Sequence, residues 1–107
     1  MANNITTNPL LWTLDSTGSV KAAGYRVHVI GIHYEPGAVS NALTIGDYAA
    51  DGSTVQNRIM LKAHPSLVIP IDEIFPVPLV LNGVYVVTIT AGTAYLMVLE
   101  VEPVITA

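Results

Sequence analysis

Residues 82–101, NGVYVVTITAGTAYLMVLEV, decide the fold class of this chain. Through residues 85–90 the side chains alternate. Tyr85, Val87 and Ile89 lie on one face and Val86, Thr88 and Thr90 on the other, the two-residue period of a half-buried strand. Beyond Ala91-Gly92, Tyr95, Met97, Leu99 and Val101 share one face and Ala94, Leu96 and Val98 the other, so this second strand is apolar on both sides until Glu100. Such a strand belongs in the middle of a sheet or beneath a partner. Gly92 accepts φ > 0 without steric cost and Asn82-Gly83 is a turn dipeptide. The reading is therefore a β-hairpin that turns at Ala91-Gly92, is entered through a turn at Asn82-Gly83, and places Val87 and Leu99 in the core.

Working outward, the same β signature recurs. Residues 25–34, YRVHVIGIHY, form a second clear strand, with Arg26 and His28 on one solvated face. Residues 9–15, PLLWTLD, read as a first strand, with Trp12 expected in the core between Leu10, Leu11 and Leu14, and residues 15–19 as a turn. A short strand over 42–45 and a longer one over 54–62 flank the loop DYAADGS, which narrows to Asp51-Gly52. In the longer strand Val55, Asn57, Ile59 and Leu61 fall on one face, and Gln56, Arg58, Met60 and Lys62 on the other, pointing outward. Residues 64–78 carry Pro65, Pro70, Pro76 and Pro78, a density that only an edge strand or an extended connection tolerates, because each proline removes a ladder donor, and Leu67, Val68, Ile69 and Ile71 are expected to anchor it.

No stretch shows a helical stripe, and β-branched residues dominate. The fold class predicted is all-β: an antiparallel β-sandwich or jelly roll of about seven to eight short strands. It would form one domain over residues 9–107, preceded by a flexible N-terminal arm, residues 1–8. The Asn- and Thr-rich arm has no evident core to join. The alternative reading orders it on a neighbouring subunit.

Composition narrows the function. Of 107 residues only 12 are charged, four basic and eight acidic, while 51% are hydrophobic; an average chain of this length would carry roughly 27 charges. A folded monomer of 11.3 kDa exposes about 5,700 Å², too much for so few charges to cover, so self-association is expected. A net charge of −4, with Lys21, Arg26, Arg58 and Lys62 the only basic residues, offers no footprint for nucleic acid or anionic lipid. No apolar run approaches the ~20 residues of a membrane span, and MANNITTNP lacks the basic and apolar regions of a secretory signal. The expectation is a protein made and kept in solution.

Sites that carry chemistry are scarce. There is no cysteine, no G-x-S-x-G elbow, no phosphate-binding glycine loop and no H-x-x-x-H pattern, so neither enzymatic activity nor a cofactor is expected. His28 and His33, five apart, point to opposite faces of a regular strand and cannot ligate one metal unless a bulge at Gly31 changes the parity. Asp47, Asp51 and Gly52 match three places of a calcium-binding loop. Ala49, Val55 and Arg58 occupy three further places that should hold oxygen ligands, which leaves a hairpin turn as the better reading. Asp72-Glu73 is an adjacent acidic pair whose side chains diverge on an extended segment, and so does not suit acid–base catalysis.

One further signal comes from resemblance. Met1-Ala2-Asn3-Asn4, Asn8-Pro9, Leu14-Asp15, the turn at Asp51-Gly52-Ser53, Leu81-Asn82-Gly83-Val84 and Thr90-Ala91-Gly92-Thr93-Ala94-Tyr95 resemble small tailed-bacteriophage virion proteins over most of the chain. That group includes capsid decoration, or cement, proteins with β-sandwich or jelly-roll folds that often sit on the shell as trimers. The resemblance implies a structural protein on the virion surface, a homotrimer whose partners are itself and the major capsid protein. It carries no catalytic or ligand motif. Within this reading Asn3, Asn4, Thr6, Thr7 and Asn8 are the candidate capsid contacts, through hydrogen bonds to exposed backbone. The alternative is a carbohydrate- or receptor-binding module of a phage tail, in which Trp12 and Tyr48 would stack on sugars.

Overall fold

The structure, a computed structural model, describes residues 3–6 and 10–103. Six strands, β1 (Leu11–Leu14), β2 (Gly18–Glu35), β3 (Ala42–Tyr48), β4 (Val55–Lys62), β5 (Ile71–Ile89) and β6 (Thr93–Pro103), form one antiparallel sheet in the order β1-β6-β2-β5-β3-β4. No helix occurs among the described residues.

The sheet folds over on itself. Ile71 pairs with Tyr34 in the β2–β5 ladder, and Ala91 lies 20 residues further along the chain. A straight strand would carry Ala91 roughly 65 Å away at ~3.3 Å per residue, yet the Tyr34 hydroxyl donates to the Ala91 carbonyl at 2.7 Å. The long β2–β5 ribbon must therefore bend back. The bend lies where five steps along β2, from Lys21 to Arg26, are matched by only two along β5, from Val84 to Asn82. Gly24 and Gly83 have φ of 96° and 69° there, left-handed values that a side chain would oppose. A Cβ on Gly83 would also stand 2.7 Å from the carbonyl oxygens of Lys21 and Ala22.

Folding makes two layers from one sheet. β1, β6, the C-terminal half of β2 and the N-terminal half of β5 form the first. The N-terminal part of β2, the C-terminal part of β5, β3 and β4 form the second. The six strands thus supply eight layer segments, which is how a sandwich-like architecture arises from fewer and longer strands than the turn spacing suggested. Buried side chains from both layers meet in one core: Trp12, Leu14, Val29, Ile32, Tyr34 and Leu96 from the first, Leu43, Ile45, Ile59, Val84 and Val86 from the second.

The predicted hairpin at Ala91-Gly92 does not form. β5 and β6 are not neighbours, because β2 lies between them and pairs with both. The link at residues 90–92 crosses from one layer to the other over the end of β2, with Gly92 packed against the Glu35 carbonyl so closely that no Cβ fits. Asn82-Gly83 likewise bends β5 without ending it.

Bulges then decide which residues face inward. In β6 the ladder steps from Val98 to Glu100 while β2 steps only from Val29 to His28, so Leu99 is the extra residue of a bulge. It is 51% exposed, contrary to its predicted burial, while Val101 turns in to pack against the core. Without this bulge the inward series Ala94, Leu96, Val98 would continue to Glu100. A second bulge between Ile45 and Thr44, opposite Val86 and Thr88, leaves Val87 only partly buried while Val86 fills the core. A third, at Ile30-Gly31, moves the inward positions of β2 from Val27 and Val29 to Ile32 and Tyr34.

Other local readings hold. Trp12 is 2% exposed and belongs to the core. Asp51-Gly52 closes the β3–β4 hairpin: the Asp51 carboxylate accepts from the amides of Ser53 and Thr54 at 2.9 and 2.8 Å, and Gly52 has φ 76°. The proline-rich segment also lies at an edge. All ladder partners of residues 71–80 are on β2, and Pro76 and Pro78 fall in the stretch 75–78, where the ladder with β2 is interrupted.

Candidate functional site

The proline-bearing edge is also where apolar surface is concentrated. Leu67, Val68, Ile69, Ile74, Val77 and Val80 are all exposed, Val77 at 78% and Ile74 at 65%. Other exposed apolar side chains, such as Leu10, Val39, Met60 and Leu99, are spread over other elements. Isolated apolar side chains on a surface are ordinary, whereas several exposed ones in one short segment are a candidate contact surface. The prolines remove ladder donors along this edge, so the side chains are presented without a continuous template for strand pairing.

The predicted arm is placed only in part, since Thr7 and Asn8 lie outside the described residues. Asn4 makes an antiparallel bridge with Thr13, with reciprocal backbone hydrogen bonds of 2.8 and 2.9 Å. Asn3 Oδ1 accepts from the amides of Asp15 and Ser16 at 2.7 and 2.9 Å, and its Nδ2 donates to the Ser16 carbonyl. Ile5 packs against the core, and the Thr6 amide donates to Asn4 Oδ1. The segment at 3–6 therefore has a core to join, contrary to expectation. Ile5 was the signal for this, an apolar residue two positions into a polar run.

Polar groups gather at the bend. Asp47, whose side chain is only 4% exposed, accepts from the Asn82 amide at 2.9 Å and lies 3.4 Å from Arg58 Nη1, both through Oδ2. Its Oδ1 is buried without a hydrogen-bond partner. Asn82 in turn accepts from the Gly24 amide and donates to the carbonyls of Tyr48 and Ala49. An open cleft of about 640 Å³ lies beside them, bordered by Arg26, Asp47, Asp51 and Asn82. Asp47 and Asp51 do not converge as calcium ligands: one carboxylate ties the bend to β3 and the other closes its own turn. The Thr54 hydroxyl and the two turn amides hold the Asp51 carboxyl down to about 2.

The Ile30-Gly31 bulge changes the parity of β2, so both histidines lie on the outer face of the first layer, each with its own carboxylates. His33 Nδ1 contacts Asp72 and its Nε2 lies 3.6 Å from Glu35, with Tyr95 beside the ring. The Asp72 hydrogen bond, outweighing partial burial, raises the His33 pKa above 6.5. His28 Nε2 lies 3.1 Å from Glu102 and 3.8 Å from Glu100. Sequence reasoning paired neither His33 with Asp72 nor His28 with Glu102, because these partners lie across strands 39 and 74 residues away, whereas Glu35 sits two residues along β2 from His33.

Tyr48, the other aromatic of the sugar-stacking alternative, donates its hydroxyl to Ser19 and meets Tyr85 edge-on, while Trp12 is buried. Fold and surface together define a small sandwich-like all-β protein with an apolar edge. No family model, curated protein or solved structure matches the chain.

Proposed function

We propose that this chain is a non-enzymatic structural protein of a tailed-phage virion, a capsid decoration protein that assembles as a homo-oligomer, in the favoured form a trimer, and bridges neighbouring major capsid subunits. The observation that carries the reading is the apolar edge at residues 67–80, on a chain too poor in charge to cover its 5893 Å² of surface. A specific interface takes about 800 Å² from each partner, roughly a seventh of that surface. Multivalent attachment then converts individually weak contacts into stable occupancy. Because residues 3–6 are docked on β1, the edge of β5 is favoured over the arm as the principal contact.

The test is reconstitution. Capsids assembled without this protein are mixed with it, sedimented, and challenged with salt and heat, while sedimentation equilibrium reports its own assembly state. Saturable binding that raises particle stability, together with an oligomer at micromolar concentration, is expected. A stable 11.3 kDa monomer that leaves capsids unbound would overturn the proposal.

A further inference from the structure

The outer face of the first layer carries a three-residue cluster, His28, Glu100 and Glu102, close enough together to share a ligand. His28 stands directly opposite Glu100, and Arg26 opposite Glu102, in the β2–β6 ladder. The Leu99 bulge creates this arrangement. In unbroken register His28 would face Leu99, and both glutamates would point toward the core. Re-aiming side chains in this way is a recurrent use of bulges.

One nitrogen and two oxygens, from His28, Glu100 and Glu102, lie within 4.8 Å of one another. In tetrahedral coordination, metal–ligand bonds of about 2.0–2.2 Å place neighbouring ligand atoms roughly 3.3–3.6 Å apart. The His28 Nε2 separations of 3.1 and 3.8 Å from the two carboxylates bracket that spacing. The His28 side chain is only 18% exposed, so its ring is held by packing, whereas the glutamates are free to adjust. Two carboxylates this close repel unless a cation lies between them. The nearest fixed cation, Arg26, is half exposed and 3.8 Å from Glu102 alone. The His33 cluster differs, because Asp72 and Glu35 engage opposite ring nitrogens and no single ion can reach all three groups.

We propose that His28, Glu100 and Glu102 bind a divalent transition-metal ion of the zinc type, which clamps β6 to β2 across the Leu99 bulge. An imidazole with two carboxylates suits Zn²⁺ better than the all-oxygen preferences of Ca²⁺ or Mg²⁺. Three protein ligands leave a fourth position open toward solvent.

The experiment titrates ZnCl₂ into the chelator-treated full chain by calorimetry, with histidine ring resonances followed by NMR and thermal unfolding recorded with and without metal. One Zn²⁺ per chain is expected, perturbing His28 in preference to His33 and His64 and raising the unfolding temperature; equimolar Mg²⁺ should not compete. His28→Gln and the double variant Glu100→Gln/Glu102→Gln should each weaken binding roughly tenfold or more, as loss of protein ligands requires, while His33→Gln binds like the parent. Circular dichroism without metal verifies that the variants are folded; the double variant alters only surface carboxylates and keeps the test decisive if His28→Gln unfolds. Absence of stoichiometric binding, or undiminished affinity in the double variant, overturns the site.

Discussion

Individual side chains here owe their roles to partners the chain brings from far away. His33 is the clearest case. Its folded-state pKa is raised above 6.5, first by the Asp72 hydrogen bond. The stabilisation from this pair is therefore fully present below about pH 6.5 and is lost as pH rises through the raised folded value. NMR titration should show His33 retaining its proton above pH 6.5, and His33→Gln should remove that part of the pH dependence of unfolding. Leu96 and Leu99 form a second contrast. Both are leucines of one strand, but Leu96 is fully buried and Leu99 half exposed. Leu96→Ala is expected to cost about 2–5 kcal/mol and Leu99→Ala about 1 kcal/mol or less, as read from urea denaturation midpoints. Equal losses would place the bulge elsewhere. Nothing in the alternation of residues 94–101 announces that bulge, although Glu100 and Glu102 hint at it: continued in phase, they would enter the core unpaired, which is prohibitively costly.

The elements show the same dependence on context. β2 and β5 are each long enough to serve both layers because glycines at the bend permit left-handed backbone without ending the strand. Gly83→Ala should cost about 1–3 kcal/mol from backbone conformation alone, and more from the approach of its Cβ to two carbonyl oxygens. A drop in the denaturation midpoint with unchanged far-ultraviolet circular dichroism would express this. The β3–β4 hairpin needs no distant partner, since Asp51 and Gly52 set its turn through hydrogen bonds within three residues. Its position was accordingly plain from the dipeptide. The link at residues 90–92 is the opposite case: a short glycine-containing segment serves equally as a hairpin turn or as a crossing between layers. Its own sequence does not distinguish the two.

Taken as one body, 51 × 26 × 24 Å in extent, the domain presents half of its exposed large apolar side chains in one segment, residues 67–80, along and just before the β5 edge. Val77→Lys is expected to weaken self-association and capsid binding together while leaving the denaturation midpoint unchanged, because Val77 is 78% exposed. Sedimentation and capsid co-pelleting check both. Deleting residues 2–8 should lower the midpoint, since it removes the Asn3 and Asn4 hydrogen bonds to the β1 region and the packing of Ile5. A truncated domain as stable as the full chain would restore the arm to an independent role.

Local pattern alone determined that the chain is all-β, where most strands lie, that Trp12 is core, that Asp51-Gly52 turns, and that the proline-rich stretch runs along an edge. These follow from side-chain alternation and from backbone constraints acting over a few residues. Only the tertiary structure decided that β2 lies between β5 and β6, that the ribbon bends at Gly24 and Gly83, and which face of β6 turns inward after Leu99. Strand pairing and bulge placement minimise the energy of the two layers together: a candidate register is stable only if its whole apolar set reaches the shared core and its charges reach solvent. That comparison involves residues far apart in the chain, such as Arg26 and Glu102 in the β2–β6 ladder, 76 positions apart, and Leu11 and Met97 in the β1–β6 ladder, 86 apart, and no short stretch contains it. The cluster of His28, Glu100 and Glu102 exists for the same reason, as a product of register between strands that are distant in the chain.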